Sequence, residues 1–427
     1  MATQRFPGSE KRVFIFLDTM PQRQGSGASL RFYSNIRAYL DLGFEVEVVQ
    51  VATADDGSRP SQDLSPVVWK RVFETPPPPS LAGRLLFRAS LPAQASVAYY
   101  FPKHYVVLRE VKDRLRTFPT ALYHLEGESM ANIIPWLPKR TRSLWSLHDL
   151  PSTVAAATIK IKCEAENRQP TIPEQRELKF AERAEKFIAR QARAIVCIAQ
   201  HDCDRLREAW HCTQAEYLPM SIPDDGAERK QGWLHNGQLR MLHLGKISHL
   251  PSYRSLEFLL REVFPLIPAE VLRRLSLEVV GTLDRDHERA RRILDLAQGY
   301  SNVTFHGFVD DVVPYYESCD LQVVGSTDAS GLRTRTIESF AYGLPVLSTN
   351  VGAKGIAGLE AGRELFIVDQ PQEFADQLCR LLDSPERLTM TSRRAREFYL
   401  SNNSSHIVST RLAAYLKGHL MHLSTVS

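Results

Sequence analysis

The chain has 427 residues, 43% hydrophobic and 24% charged, with a formal net charge of +4. That is apolar material for two sizeable cores, and too little positive charge for a dedicated nucleic-acid binder. No apolar run reaches the roughly 18 residues of a membrane-spanning helix, the polar start MATQRFPGSEKR has no signal-peptide core, and the six cysteines form no CxxC pair, so a cytoplasmic chain with reduced thiols is expected.

Short apolar runs alternate with helical patterns, the signature of parallel βαβ units. The first strand is Val13–Leu17, followed by the turn Gly25-Ser26-Gly27 and an amphipathic helix over Ala28–Leu42, stopped by Gly43. Further strands are predicted from Phe44 and at Val67–Val72, Ala121–Leu125, Ser143–Leu147 and Ala194–Ile198, with a long polar helix over Pro173–Gln191. A Pro- and Asp-containing linker, 219–238, follows. The alternation then restarts, with strands at Leu239–Leu244, Leu275–Val280, Val303–His306, Leu321–Val324, Pro345–Thr349 and Leu365–Val368. The domains are therefore 1–218 and 239–401, each a doubly wound Rossmann-like α/β unit, with the two facing a cleft. Residues 402–427 read as a final helix whose apolar face needs the first domain to cover it.

Parallel sheets bind ligands at the carboxyl ends of their strands, and several polar residues fall there. Gly25 and Gly27 let a ligand approach the first helix start. His148 follows the strand ending at Leu147, where it reads as a substrate contact or a structural residue. Glu126 and Glu128 follow another strand, as acceptor contacts or as solvated loop charges. The segment Leu81–Pro92 places Arg84 and Arg88 among leucines and Phe87, either as a loop with a packed helix or as a lip for a lipid-linked acceptor or membrane surface. The spacing of Cys197, His201, Cys203, His211 and Cys212 matches no standard zinc pattern.

The richest segment runs from Gly325, GSTDASGLRTRTIESFAYGLPVLSTNVGAKG. The loop Ser330-Gly331-Leu332 offers backbone donors, Arg333 and Arg335 offer planar guanidinium groups suited to a diphosphate, and Glu338 offers a carboxylate for ribose hydroxyls. The alternative is an ordinary ion pair between an arginine and Glu338.

This segment resembles the donor-binding motif of GT-B glycosyltransferases, specifically the family 4-like retaining group. Glu338 stands at the second acidic position of that family's Glu-x7-Glu pattern, ahead of Ala341-Tyr342-Gly343-Leu344-Pro345-Val346. Ser330 stands at the first, so the match is to a variant with Gly331-x-Arg333-x-Arg335. Gly245 and Lys246 resemble the start of the donor domain, Gly307 and Phe308 the loop beside the nucleotide base, and His148 the acceptor-domain histidine near the donor sugar. The resemblance implies transfer of a sugar from a nucleoside-diphosphate sugar to an acceptor hydroxyl, with retention. Lys246, Arg333 and Arg335 would stabilise the leaving diphosphate, and His148 would orient the sugar. No DxD pair lies on a suitable loop, because Asp310-Asp311 belongs to the start of a helix. Neither metal nor cofactor is expected. An epimerase-like isomerase and a non-catalytic nucleotide-sugar-binding protein stay open as alternatives.

Overall fold

The computed structural model describes residues 11–23, 26–52, 59–73, 101–224, 232–327 and 332–421. They form two compact units, Met1–Ser221 with Ser405–Ser427, and Ile222–Ser404.

The first unit holds seven parallel strands: β1 (Arg12–Leu17), β2 (Glu45–Ala52), β3 (Val68–Phe73), β4 (Leu122–Glu126), β5 (Arg142–Leu147), β6 (Ala194–Cys197) and β7 (Ala215–Tyr217). Their order is β3-β2-β1-β4-β5-β6-β7. The chain thus leaves β1 toward one edge and returns to its other side at β4, with Val13 opposite Leu122 and Phe16 opposite Leu125. Such a reversal opens a crevice at the strands' carboxyl ends. The connecting helices include α1 (Gly27–Asp41), α2 (Phe101–Thr117), α3 (Gly127–Ala131), α4 (Pro151–Ala165), α5 (Ile172–Gln191) and α6 (Gln200–Asp204). α1 starts where Ser26 Oγ accepts the Ser29 amide, and it stops before Gly43, whose φ of +77° only glycine adopts at low cost. α5 starts on a capping box in which Thr171 and Glu174 each accept the other's amide.

Alternate β1 residues face opposite layers. Phe14 and Phe16 pack with Val107, Val111 and Trp145, while Val13, Ile15 and Leu17 pack with Phe32 and Ile36 of α1.

The second unit repeats the plan with six parallel strands: β8 (Leu239–Leu244), β9 (Leu275–Val280), β10 (Val303–Gly307), β11 (Leu321–Val324), β12 (Val346–Ser348) and β13 (Phe366–Ile367). Their order is β10-β9-β8-β11-β12-β13, with the reversal between β8 and β11. Its helices include α7 (Leu250–Glu257), α8 (Ala269–Leu272), α9 (Glu288–Ala297), α10 (Val313–Ser318), α11 (Thr334–Ala341), α12 (Asn350–Ala353), α13 (Pro371–Asp383) and α14 (Glu386–Asn402). The core joins Leu277 and Val279 of β9, Leu321 and Val323 of β11, and Phe264, Phe374 and Leu378 around them.

The last helix, α15 (Ser405–Leu416), belongs to the first unit. Val408, Leu412, Tyr415 and Leu416 join the core under α1, and the Tyr415 hydroxyl accepts the Ile195 amide at 2.7 Å.

Two local features differ from the sequence reading. β7 and α4 were not foreseen: β7 has only three residues at a sheet edge, and α4 is alanine-rich with no clean apolar stripe. The expected linker is also partly packed. Met220 and Ile222 are buried at alternate positions, next to Pro219 and Pro223.

Candidate active site

In the second unit, the ends of β8, β9 and β11 lie side by side. Gly245 continues β8 and donates its amide to Val280 O at 2.9 Å. Lys246 follows on the exposed surface of the loop, and its carbonyl accepts the His249 amide. Gly325 continues β11 and donates to Ser255 Oγ at 2.8 Å. Ser326 is buried, and its Oγ accepts from Arg333 Nε at 3.1 Å.

Arg333 is the N-cap of α11 and Arg335 lies in its first turn, where there is no acidic residue. A helix start is already electropositive, so two guanidinium groups there oppose the helix dipole. That placement costs stability unless an anion is bound, and a diphosphate is the kind of anion it fits. Leu332 lies half-buried just ahead of them, with its carbonyl accepting the Thr334 amide.

The two arginines part company beyond this point. Arg335 Nη1 donates to Glu338 Oε2 at 2.8 Å, and the Tyr316 hydroxyl donates to the same oxygen at 2.8 Å. Burial works against the charge on Arg335, but Glu338 and Tyr316 outweigh it and hold its pKa above the ordinary value. The ordinary ion pair weighed from the sequence is thus present at Arg335 and Glu338. Glu338 is buried, and its Oε1 has no hydrogen-bond partner. Tyr316 stacks on Tyr342 with 4.8 Å between centroids, which fixes its ring. Sequence reading missed Tyr316, because a tyrosine in the pattern VPYYES reads as ordinary helix packing.

Gly307 ends β10 with φ +72°, and Phe308 follows with 72% of its surface exposed. On the first unit, Gly27 is the first residue of α1 itself. Gly25, Ser330, Gly331 and the Arg84–Arg88 lip lie outside the described residues, as does the side chain of Glu128, which belongs to α3.

Glu126 corrects the sequence reading. It is neither a solvated loop charge nor an open acceptor contact: it is the last residue of β4 and 1% exposed. Asn35 Nδ2 donates to it, His124 Nε2 lies 3.1 Å from Oε1, and His148 Nε2 bonds Oε2 at 3.3 Å. Burial alone would raise its pKa, but His124 first and then His148 outweigh this and hold it well below the ordinary carboxylate value. His148, partly exposed, has its ring 5.1 Å from that of Phe32. Arg31, Asn35 and Tyr39, four residues apart on α1, are all buried toward this carboxylate's surroundings. The Tyr39 hydroxyl bonds His124 Nδ1 at 2.9 Å. Arg31 is fully buried with no hydrogen-bond partner on its guanidinium. Burial lowers its pKa, and the attraction of Glu126 opposes that. Among the described residues, no group of three or more His, Cys, Asp or Glu residues is arranged to hold a metal ion.

Comparison with known proteins places this geometry. Residues 238–384 match the family model described as Glycosyl transferases group 1. A D-inositol 3-phosphate glycosyltransferase of Thermobispora bispora is 24% identical over 94% of this chain and 93% of its own length. HepE of Anabaena, solved with UDP, superposes with a TM-score of 0.67 at 14% identity, over 95% of this chain and 100% of that one. A sucrose-phosphate synthase from Thermosynechococcus elongatus gives 0.68 at 16% identity, over 96% and 99%. The fold is that of the two-domain GT-B glycosyltransferases. The chain is a glycosyltransferase.

Proposed function

We propose that the second unit binds the diphosphate of a uridine-type nucleotide sugar at the start of α11, and that the enzyme passes the sugar to an acceptor hydroxyl with retention. The observation that carries this is Arg333 at the N-cap of α11, held by Ser326 at the end of β11. The UDP complexes among the structural neighbours favour uridine over other bases. Arg333 meets the developing charge of the leaving diphosphate, with exposed Lys246 beside the same strand ends. Arg335 takes the role of fixing Glu338, whose Oε1 is the atom left to accept a ribose hydroxyl. His148, braced by Glu126, orients the sugar. The departing phosphate oxygen takes the acceptor proton as the glycosidic bond forms and the sugar–phosphate bond breaks, so no strong protein base is needed. The acceptor is a glycan, a lipid-linked sugar or a small polyol, and we place the enzyme in the cytoplasm or at the inner face of the membrane. Among the described residues, no helix is long and apolar enough to cross a membrane.

Arg333→Ala is expected to weaken UDP binding at least about tenfold, since a charge-assisted bond contributes about 1.5–3 kcal/mol. Titration calorimetry with UDP, GDP and ADP checks this, and unchanged UDP affinity would remove Arg333 from the site. Turnover is expected to persist in excess EDTA, because cationic side chains meet the diphosphate charge. A loss that magnesium or manganese restores would refute that part. Donor incubated alone should stay intact, whereas an epimerised sugar formed without acceptor would identify an isomerase instead.

A further inference from the structure

We propose that one face of α5 docks the first unit onto an anionic lipid surface. α5 carries Arg176, Lys179, Arg183, Lys186 and Arg190, spaced by three, four, three and four residues. At 100° per residue these fall within about 80° of one another, in a stripe about 21 Å long. Four of the five are exposed and Lys186 is half-buried. None makes a hydrogen bond or ion pair among the described residues.

The same helix uses its carboxylates quite differently. Glu174 takes Arg168 at 2.8 Å, Glu182 takes Arg205 at 2.9 Å, and buried Glu185 accepts the Ser152 amide at 2.5 Å. Three of the helix's four carboxylates are thus tied to protein groups, while four of its five cations on this stripe are exposed. At the C-terminal end, Arg193 Nη1 donates to Lys139 O at 2.8 Å, bringing the exposed Lys139-Arg140 pair beside the stripe.

Apolar groups border the cations. By helical angle, Phe180 and Phe187 lie along one edge of the stripe, each half-buried, and Ile172 lies in line with it at 65% exposed. Five uncompensated cations beside partly exposed aromatic and aliphatic side chains are the composition of an interfacial helix on anionic lipid. A nucleic-acid surface has use for the cations but not for Ile172 and the phenylalanines, and the chain's net charge of only +4 is low for such a partner. This inference concerns a surface remote in sequence from the nucleotide residues and does not rest on the proposed donor.

The test is sedimentation of the full chain with vesicles of phosphatidylcholine alone and with a two-to-one mixture of phosphatidylcholine and phosphatidylglycerol. Wild type should sediment only with the mixture and be released by high salt. In the triple variant Arg176→Gln, Lys179→Gln, Arg183→Gln, partitioning should fall at least about tenfold, since each cation near an anionic surface contributes roughly a fivefold factor. The three positions are exposed, so the variant should melt with wild type and bind UDP equally well. Wild type that stays in solution with both vesicles overturns the proposal. So does a variant that binds lipid as wild type does, or a wild type that ignores vesicles and retards duplex DNA.

Discussion

Glu126→Gln should slow sugar transfer at least about tenfold and destabilise the first unit by about 3 kcal/mol, while KM for the donor changes little. The stability loss follows from what the carboxylate neutralises. Arg31 is fully buried with no hydrogen-bond partner on its guanidinium, and Glu126 attracts its charge more strongly than any other group. Removing one member of a buried charge pair leaves the other uncompensated, at a cost of about 3–5 kcal/mol. The kinetic loss follows from His148, whose Nε2 is held at 3.3 Å by Glu126 Oε2 and would no longer face a carboxylate. Glutamine offers either an N–H or a carbonyl there, so the ring can turn or change tautomer. Donor KM is spared because the nucleotide contacts proposed here are on the second unit.

A pH signature separates this role from a merely packed glutamate. The Glu126 pKa is held well below its ordinary value of 4.5. A depressed carboxylate adds stability that is fully present above the unfolded value and is lost as pH falls through the folded one. Wild type should therefore lose stability on acidification below about 4.5, and the Gln variant should lose less over that range. Urea unfolding across pH, with transfer rates at neutral pH, checks both parts. A variant with the wild-type midpoint and wild-type kcat would dispose of the brace.

Most strands were legible because each is a short, largely apolar run between polar turns, as in Leu321–Val324 and Leu275–Val280. Parallel pairing followed from the helices between them, since a crossover needs one. The polar interior was not legible. Arg31, Asn35 and Tyr39 recur every four residues on α1, and a periodic arginine and asparagine read as a solvated stripe rather than a buried one. His124 sits inside the strand pattern LYHLE, where nothing local distinguishes a histidine facing Glu126 from one facing solvent. At Arg335 the sequence left two partners open, a diphosphate and Glu338. Three residues along a helix puts the two side chains on one face, and only the position of Tyr316 shows that Glu338 is gripped from both sides. The closeness of β8 and β9 at their ends was equally invisible, because it joins two glycines far apart in sequence.

That last contact makes Gly281→Ala the most damaging small substitution expected in the second unit. Gly281 has φ +143°, and a Cβ built on it would lie 2.1 Å from Gly245 O and 2.5 Å from Gly245 C. Both are backbone atoms, so no rotamer relieves the clash. The ends of β8 and β9 would have to separate, stretching the bond from Gly245 N to Val280 O. Dihedral strain costs about 1–3 kcal/mol, and overpacking typically another 1–3 kcal/mol. The sum is about 2–6 kcal/mol, or roughly 4–24 °C in Tm for a unit of this size. Because Gly245 precedes Lys246, the displaced loop should also weaken UDP binding. Gly237→Ala is the matched control: its φ is +72°, yet nothing lies within 4 Å of an added Cβ. It carries the dihedral cost alone, about 1 kcal/mol, and should leave UDP affinity intact. Differential scanning of both variants decides the matter: if Gly281→Ala melts within about 2 °C of Gly237→Ala, the contact between the two strand ends does not hold the loop.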